Sequence, residues 1–312
     1  GRAKILSAMT GPCFDCPRAC GADRSRAAGL CGAPAAPRVA RAALHFGEEP
    51  CLSGTRGAGA VFFSGCSLRC IYCQNAVISR ECRGKTIDEV RLLEIFKELA
   101  AAGAHNLDLV TPTHYTSLLT RLLHDNPQPL PVVWNSSGYE LVPKLRGLEG
   151  AVDVYLPDLK YFDARAAGLY SGAPDYFPVA SAALLEMARQ TGDCVFDGEG
   201  LLRRGLLVRH LVLPGLSKDS VALLEWCAAN LPAGTRYSIM AQYTPTPAVA
   251  GHPALGRRLT AFEYDRVADA AVRLGLKGYL QDRESAGTGH IPAFDGTGVL
   301  PAQSGAPRKP GF

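Results

Sequence analysis

Three cysteines, Cys66, Cys70 and Cys73, stand in the run FFSGCSLRCIYCQN with C-x3-C-x2-C spacing, directly after the apolar stretch GAVFF. Three thiolates from one short loop suit a four-iron four-sulfur cluster whose fourth iron has no protein ligand. An iron left open in this way can bind a small molecule and do chemistry on it. A fourth cysteine would close the site. The same residues also admit a structural zinc site short of one ligand, or buried cysteines that only pack.

A second group lies upstream. CFDCPRACGADRSRAAGLCG places Cys13, Cys16, Cys20 and Cys31 in a C-x2-C-x3-C-x10-C pattern, in a segment with too little apolar content for a core of its own. Such a segment needs a staple. Four thiolates close a tetrahedral zinc site and equally suit an auxiliary four-iron four-sulfur cluster, and spacing alone does not decide between them. Zinc would make the arm a scaffold, and a second cluster would make it an electron carrier. Reduced cysteines in a partly ordered arm are the third reading. Of the eleven cysteines, Cys51, Cys82, Cys194 and Cys227 remain isolated in sequence. Cys227, in the helical pattern VALLEWCAANL, reads as a small core residue. Cys51, in EEPCLSG, precedes the cluster strand closely enough to approach the active site.

With Tyr72 directly before the third cysteine, the loop resembles the signature of the radical S-adenosylmethionine (radical SAM) enzymes. The resemblance implies that the open iron binds the methionyl amine and carboxylate and that Tyr72 packs on the adenine. It extends over nearly the whole chain through CPRACG, GAHNLDLVTPTHY, NSSGYE, YLPDLKY, RGLLVRHLVLPG and AQYTP. These are similar to pyruvate formate-lyase activating enzyme and, more closely, to the uncharacterised radical SAM branch homologous to it.

Those motifs supply the site candidates. Thr111 and Thr113, in TPTHY, stand where radical SAM enzymes often carry the Gly-Gly-Glu that holds the methionyl amine. Their hydroxyl or backbone oxygens are left to accept the amine proton, with His114 facing the same cavity. The competing reading is a helix N-cap beside a satisfied histidine. Asn135, Ser136 and Ser137 end an apolar strand, so they either contact the cofactor or cap the next helix. Asp158 and Lys160 match the Asp-Leu-Lys of the activating enzymes, which implies a monovalent cation site for the acid and the substrate cavity for the lysine. At i and i+2 on one strand face they equally suit a salt bridge at a barrel rim. Arg209 lies in a strand of Leu and Val, where a charge must point at something negative. The match puts it on the carboxylate of S-adenosylmethionine, while His210 alternates to the opposite face. Gln242 closes the sixth strand toward the same rim. Lys160 and His114 are the catalytic candidates of this set.

These residues need a frame. Strand patterns run over 59–63, 107–110, 131–135, 152–156, 206–213, 236–242 and 278–281. Helical patterns fit 86–103, 115–125, 139–147, 177–191, 218–230 and 260–274, with Thr86 as N-cap and Gly103 as stop of the first. RVARAALHFGEEP alternates like an edge strand or hairpin. Short apolar strands alternating with amphipathic helices predict an α/β fold with active groups at the strands' C-terminal ends. About six units suit a partial, open TIM-type barrel better than a closed one of eight. The expected division is a cysteine-rich metal-binding arm and edge hairpin over 1–50, the barrel over 51–283, and an irregular C-terminal flap over 284–312.

The chain has 312 residues, 47% hydrophobic and 20% charged, which fits a soluble globule. No apolar run reaches the roughly 18 residues of a membrane helix, and GRAKILSAMTGP has no signal-peptide core. The expected setting is therefore the cytoplasm, where thiols stay reduced and favour metal ligation over disulfides. The native start is left open, because the chain begins at Gly1. A net charge of +4 without a long basic run argues against nucleic acid as a partner, and the lack of a membrane-length apolar run argues against a membrane. The resemblance implies reductive cleavage of S-adenosylmethionine at the cluster, giving a 5'-deoxyadenosyl radical for hydrogen abstraction. It also implies an electron donor such as flavodoxin or ferredoxin. The substrate it points to is the glycine of a glycyl radical enzyme, with radical modification of a peptide or small molecule as the alternative. A metal-stapled binding protein that kept the barrel and lost catalysis is the reading from another class.

Overall fold

The computed structural model describes residues 11–281 and 291–301. Among the described residues ten strands form one sheet: β1 (Arg38–His45), β2 (Ala58–Phe63), β3 (Lys85–Thr86), β4 (Leu107–Val110), β5 (Val132–Ser136), β6 (Val154–Pro157), β7 (Val195–Phe196), β8 (Leu202–Leu211), β9 (Arg236–Met240) and β10 (Lys277–Leu280). The spatial order is β10-β9-β8-β6-β5-β4-β2-β1-β3, with β7 added beside β8. All pairings from β2 to β10 along this path are parallel. β1, β3 and β7 pair antiparallel to their neighbours. The path ends on β3 and β10, so the sheet is open and mixed, with seven parallel strands running from the β10 edge to β2.

Parallel neighbours require crossover connections, and helices supply them. The helices are α1 (Pro50–Ser53), α2 (Ala76–Ser79), α3 (Glu89–Ala101), α4 (Thr116–Asp125), α5 (Val142–Gly147), α6 (Ala164–Ser171), α7 (Tyr176–Thr191), α8 (Ser217–Asn230) and α9 (Ala261–Arg273). β2 is buried along its whole length, as a strand covered on both faces must be. Large fully buried side chains include Trp134 and six tyrosines, Tyr115, Tyr139, Tyr155, Tyr161, Tyr176 and Tyr243. A buried phenol is costly unless its hydroxyl is paired. Each of these is: Tyr155 on Gln190, Tyr139 on Asp175, Tyr243 on the Leu255 carbonyl, Tyr176 on the Ser137 carbonyl, Tyr115 on the Ala36 carbonyl and Tyr161 on Tyr72. Cys227 is fully buried in α8, in the main core, as its apolar setting predicts.

Several expectations shift. α3 is capped by Asp88, whose carboxylate accepts from the Arg91 N–H at 2.8 Å. Thr86 is held in β3 opposite Arg38 and is not the cap. α6 lies where no helix pattern was evident. It starts on Asp163, which accepts from the Ala166 N–H, and stops at Gly172 with φ +58°. β1 is an interior strand. On the side away from β2 it meets β3 and then the chain around 296–297, through bonds from the Ala42 N–H to the Thr297 carbonyl and from the Gly296 N–H to the Ala40 carbonyl. Of the expected flap, Gly296 and Thr297 thus pair with β1, the Gly298 and Val299 carbonyls accept from Arg91 of the helix after β3, and residues outside 291–301 fall outside those described. Among the described residues no helix is long and apolar enough to cross a membrane.

Candidate functional site

The parallel strands carry the site at their C-terminal ends. β2 delivers its chain into Ser64, Gly65 and Cys66. Gly65 sits at φ +93°, and a Cβ there would lie 2.8 Å from the Cys31 carbonyl oxygen. That close approach lets the Cys66 N–H bond the same carbonyl at 3.1 Å, which ties the two cysteine groups together. The loop is pinned again where the Ile71 N–H donates to the Tyr170 carbonyl. Cys66, Cys70 and Cys73 all line one cavity of about 140 Å³, with Thr111, Ser136 and Ser137 on its wall. An adjoining cavity of about 200 Å³ shares Cys70 and Cys73 and adds Tyr72, Glu48 and Gln242. Asn135, Asp158, Lys160 and Arg209 line both.

Burial pushes the Cys66 thiol up to about 12 and the Cys73 thiol upward too, with the neighbouring thiols adding to both. Iron would reverse that balance, since a bound cation favours thiolate. Two of the sulfurs accept hydroxyl bonds, Cys70 Sγ from Ser171 at 2.9 Å and Cys73 Sγ from Ser79 at 3.3 Å. Among the described residues no three His, Cys, Asp or Glu side chains already meet as a finished metal cage. The three thiols share a wall, not yet a point. A three-sulfur donor set from one loop, opening on one cavity and already receiving hydroxyl donors, fits an iron-sulfur cluster.

Across the cavity lies a charged pole. Arg209 donates to Asp158 at 2.9 Å, to Glu48 at 2.8 Å and to Asn135 at 2.6 Å. Lys160 pairs with the other Asp158 oxygen at 2.6 Å. Despite its burial, Asp158 is held below the usual carboxylate range by Lys160 and Arg209. Burial pushes Glu48 and, more strongly, Asp108 upward, and one Asp108 oxygen has no partner. Thr111 adopts φ +60°, a strained conformation for a β-branched residue, with its N–H on the Asn135 carbonyl at 2.8 Å. Gly138, at φ +73°, lets the turn after β5 pass the Asp158 carbonyl, which a Cβ would approach to 2.6 Å.

The structure therefore brings together Tyr72, Thr111, Asn135, Ser136, Ser137, Asp158, Lys160, Arg209 and Gln242 around the three cysteines. It places Thr113 and His114 one layer back. Thr113 donates to Glu140 at 2.7 Å, His114 Nε2 lies 2.9 Å from the Ser64 carbonyl, and neither lines either cavity. His210 points away, between the Leu159 carbonyl and Ser220. Cys51 packs in an apolar cluster with Leu52, Val133 and Val154, and lines neither cavity.

In the arm, burial pushes Cys16 up to about 12 and raises Cys31, while backbone N–H groups hold Cys20 lower against its partial burial. Each of these thiols senses charge from others of its group or from Arg24. The arm docks through Arg18, which donates to the Ser67, Ser171 and Gly172 carbonyls. Arg24 donates to the His114 carbonyl and lies over the Tyr115 ring at 5.0 Å.

Glu48, Asp108, Ser79, Tyr161 and Ser171 went unread in the sequence. Asp108 did carry a signal, since an acid inside the apolar strand LDLV must be buried at a cost. Glu48 had only its place in a loop.

Residues 53–154 match the family model of a 4Fe-4S single cluster domain, which supports such a cluster on the stretch bearing Cys66, Cys70 and Cys73. The chain is 28% identical over 242 residues to the uncharacterized protein MJ0674 of Methanocaldococcus jannaschii, covering 75% of this chain and 66% of that one. Among solved structures it is similar to Streptococcus suis SuiB bound to S-adenosylmethionine (TM-score 0.47, 13% identity, 70% of this chain and 48% of that one). It is also similar to SuiB bound to precursor peptide SuiA (TM-score 0.47, 14% identity, 70% and 46%). The chain thus spans about two thirds of that curated relative and about half of SuiB.

Proposed function

We propose that the chain is a radical S-adenosylmethionine enzyme whose 4Fe-4S cluster is held by Cys66, Cys70 and Cys73. One observation carries this reading: the three thiols open on the same cavity as the charged pole of Asn135, Asp158, Lys160 and Arg209. When bound, the cluster would supply the electron that cleaves S-adenosylmethionine to methionine and a 5'-deoxyadenosyl radical, which takes a hydrogen atom from substrate.

The protein's own residues bind, orient and seal. Arg209 presents a planar fork suited to the methionyl carboxylate, held in place by Asp158 and Glu48. Thr111, fixed by its strained backbone, and the run Asn135–Ser136–Ser137 offer oxygens and amides to the methionyl amine and ribose. Tyr72, held by the Tyr161 hydroxyl at 2.7 Å, supports the adenine, and Gln242 closes that side of the larger cavity. Lys160 faces the substrate as the catalytic candidate, its charge set by Asp158. In this reading Thr113 and His114 position: one holds Glu140, the other the carbonyl that starts the cysteine loop. The sheet is read as an open, partial β/α barrel of about six units, with the arm as a metal-stapled module of Cys13, Cys16, Cys20 and Cys31 carrying zinc or a second cluster. The substrate we favour is the glycine of a glycyl radical enzyme, with a peptide or small molecule as the alternative. A flavodoxin or ferredoxin would give the electron, and eleven free thiols suit the reducing cytoplasm.

The test is anaerobic reconstitution with iron and sulfide, then an assay for 5'-deoxyadenosine after reduction with S-adenosylmethionine present. Deoxyadenosine from a loaded chain is the expected result, and none from a loaded chain overturns catalysis. About eight irons per chain would make the arm a second cluster, and about four with one zinc a scaffold.

A further inference from the structure

Cys70 Sγ does not simply face a cavity. Behind it stands a line of hydroxyls: Ser171 Oγ at 2.9 Å, Tyr161 Oη 2.7 Å beyond that, and Tyr72 Oη a further 2.7 Å on. Ser171 is 3% exposed and Tyr161 is fully buried, so no water competes for these bonds. Ser171 is the last residue of α6, and its carbonyl is held by Arg18 at 2.7 Å, which fixes the hydroxyl's position from the backbone side. A shorter arrangement serves Cys73, where Ser79, the last residue of α2, donates at 3.3 Å.

Each hydroxyl has one proton. A metal-bound thiolate only accepts, so with Cys70 ligating, the Ser171 proton is committed to sulfur; the Ser171 oxygen then accepts from Tyr161, whose one proton turns from the Tyr72 hydroxyl, and Tyr72 donates to Tyr161 in its place. A hydroxyl that itself receives a hydrogen bond is polarised and donates more strongly. Hydrogen bonds to cluster sulfurs stabilise the more negative, reduced state more than the oxidised one, and so raise the reduction potential.

We infer that Ser171, backed by Tyr161, and more weakly Ser79 are positioning residues that set the reduction potential of the cluster on Cys66, Cys70 and Cys73. This rests on the cluster reading proposed above. The pair makes the cluster easier to reduce by an electron donor, and it does so from α6, a helix remote in sequence from the cysteine loop.

The experiment is a potentiometric titration of the reconstituted full chain, followed by the EPR signal of the reduced cluster, with iron and sulfide measured on each sample. Ser171→Ala should make reduction about tenfold less favourable, a fall of about 59 mV for a one-electron couple. Ser171→Thr, which keeps the hydroxyl, should restore most of it. Tyr161→Phe and Ser79→Ala should each fall by less. An unchanged potential in a loaded Ser171→Ala protein overturns the inference, as does an equal fall in Ser171→Thr. If Ser171→Ala does not take up the cluster, Tyr161→Phe and Ser79→Ala decide: a fall supports the inference, and unchanged potentials in both overturn it. A parent chain that binds no iron and sulfide overturns the cluster reading and this inference together. A parent that loads and cleaves S-adenosylmethionine, with variants at its own potential, overturns only the inference.

Discussion

The loop bearing Cys66, Cys70 and Cys73 and the arm bearing Cys13, Cys16, Cys20 and Cys31 are joined by hydrogen bonds from Cys66 to the Cys31 carbonyl, from Arg18 to the Ser67 carbonyl and from Arg69 to the Leu30 carbonyl, yet different forces hold them. The loop continues a fully buried strand and is backed by buried tyrosines. The arm has little to bury, and its own large apolar residues, Phe14 and Leu30, stay 50% and 59% exposed. It is attached by arginines to carbonyls left over at the ends of other elements. Arg18 takes the Ser171 and Gly172 carbonyls at the end of α6, where a helix leaves its last acceptors unpaired and negative. The difference teaches that a segment without a core can still be placed accurately by charge-assisted bonds to chain ends. It also shows why the arm bears on chemistry: Arg18 grips both the cysteine loop, at the Ser67 carbonyl, and the residue that donates to Cys70.

The largest effect should separate the groups outright. Cys70→Ala should leave circular dichroism unchanged and abolish both the loop's iron and the formation of 5'-deoxyadenosine, because two thiolates do not hold the cluster. With a metal on the arm as proposed, Cys16→Ala should lose it and keep about four irons on the loop, read by metal analysis after reconstitution. Deoxyadenosine formed by Cys70→Ala would remove the distinction.

Next in size is the charged pole, which only the loop faces. Arg209 is the shared partner of Asp158, Glu48 and Asn135, and Arg209→Ala leaves the buried Glu48 without its ion pair and Asp158 with Lys160 alone, at a cost of about 3–5 kcal/mol in urea unfolding. Arg209→Lys should lose less but not recover the parent, because the guanidinium reaches its three acceptors from three separate nitrogens and a lysine offers a single ammonium. A cost below about 1 kcal/mol for the alanine variant would mean that the pole is solvated and does not enclose a ligand.

This contrast also marks what could be read from residues alone. The cysteine spacing, the seven parallel strands and Arg209 were legible, because spacing, apolar runs and a charge among Leu and Val are local signals. Glu48, Ser171 and Tyr161 were not. Ser171 meets Cys70 across 101 residues, and only the packing of α6 against the loop makes the contact. α6 itself was hidden because ARAAGLYS is short and only weakly amphipathic, so its caps, Asp163 and Gly172, were the better signal. β3 and β7, at two residues each, lie below what any period can show. The TPTHY run pointed to His114, but alternation of burial cannot tell a histidine facing a cavity from one that supports a carbonyl.

A smaller effect tests the arm's mode of attachment. Arg18→Ala removes three carbonyl bonds and the guanidinium that lies 5.5 Å from the Tyr139 ring. The expected loss is about 1.5–3 kcal/mol, confined to the arm. Hydrogen exchange should accelerate at residues 13–31 while β2, β4 and β5 keep their protection. Equal acceleration in those strands would show that the arm is part of the main cooperative unit and undo the comparison.

The smallest effect comes from the arm's acidic contact. Asp15 is 3% exposed, accepts from the Ser117 hydroxyl, and pairs with Lys144 at 3.1 Å. Ser117→Ala removes one donor from a buried carboxylate that keeps its lysine, so the loss should be about 0.5–1.5 kcal/mol in the same exchange measurement. Lys144 also donates to the Ser117 hydroxyl at 2.6 Å, and is freed by the substitution to close on Asp15. That compensation is available only because the pair lies at the arm's edge, with Lys144 about a third exposed and able to move. A loss at Ser117 as large as that of Arg18→Ala would mean that the arm is held by one buried acid rather than by arginines on carbonyls.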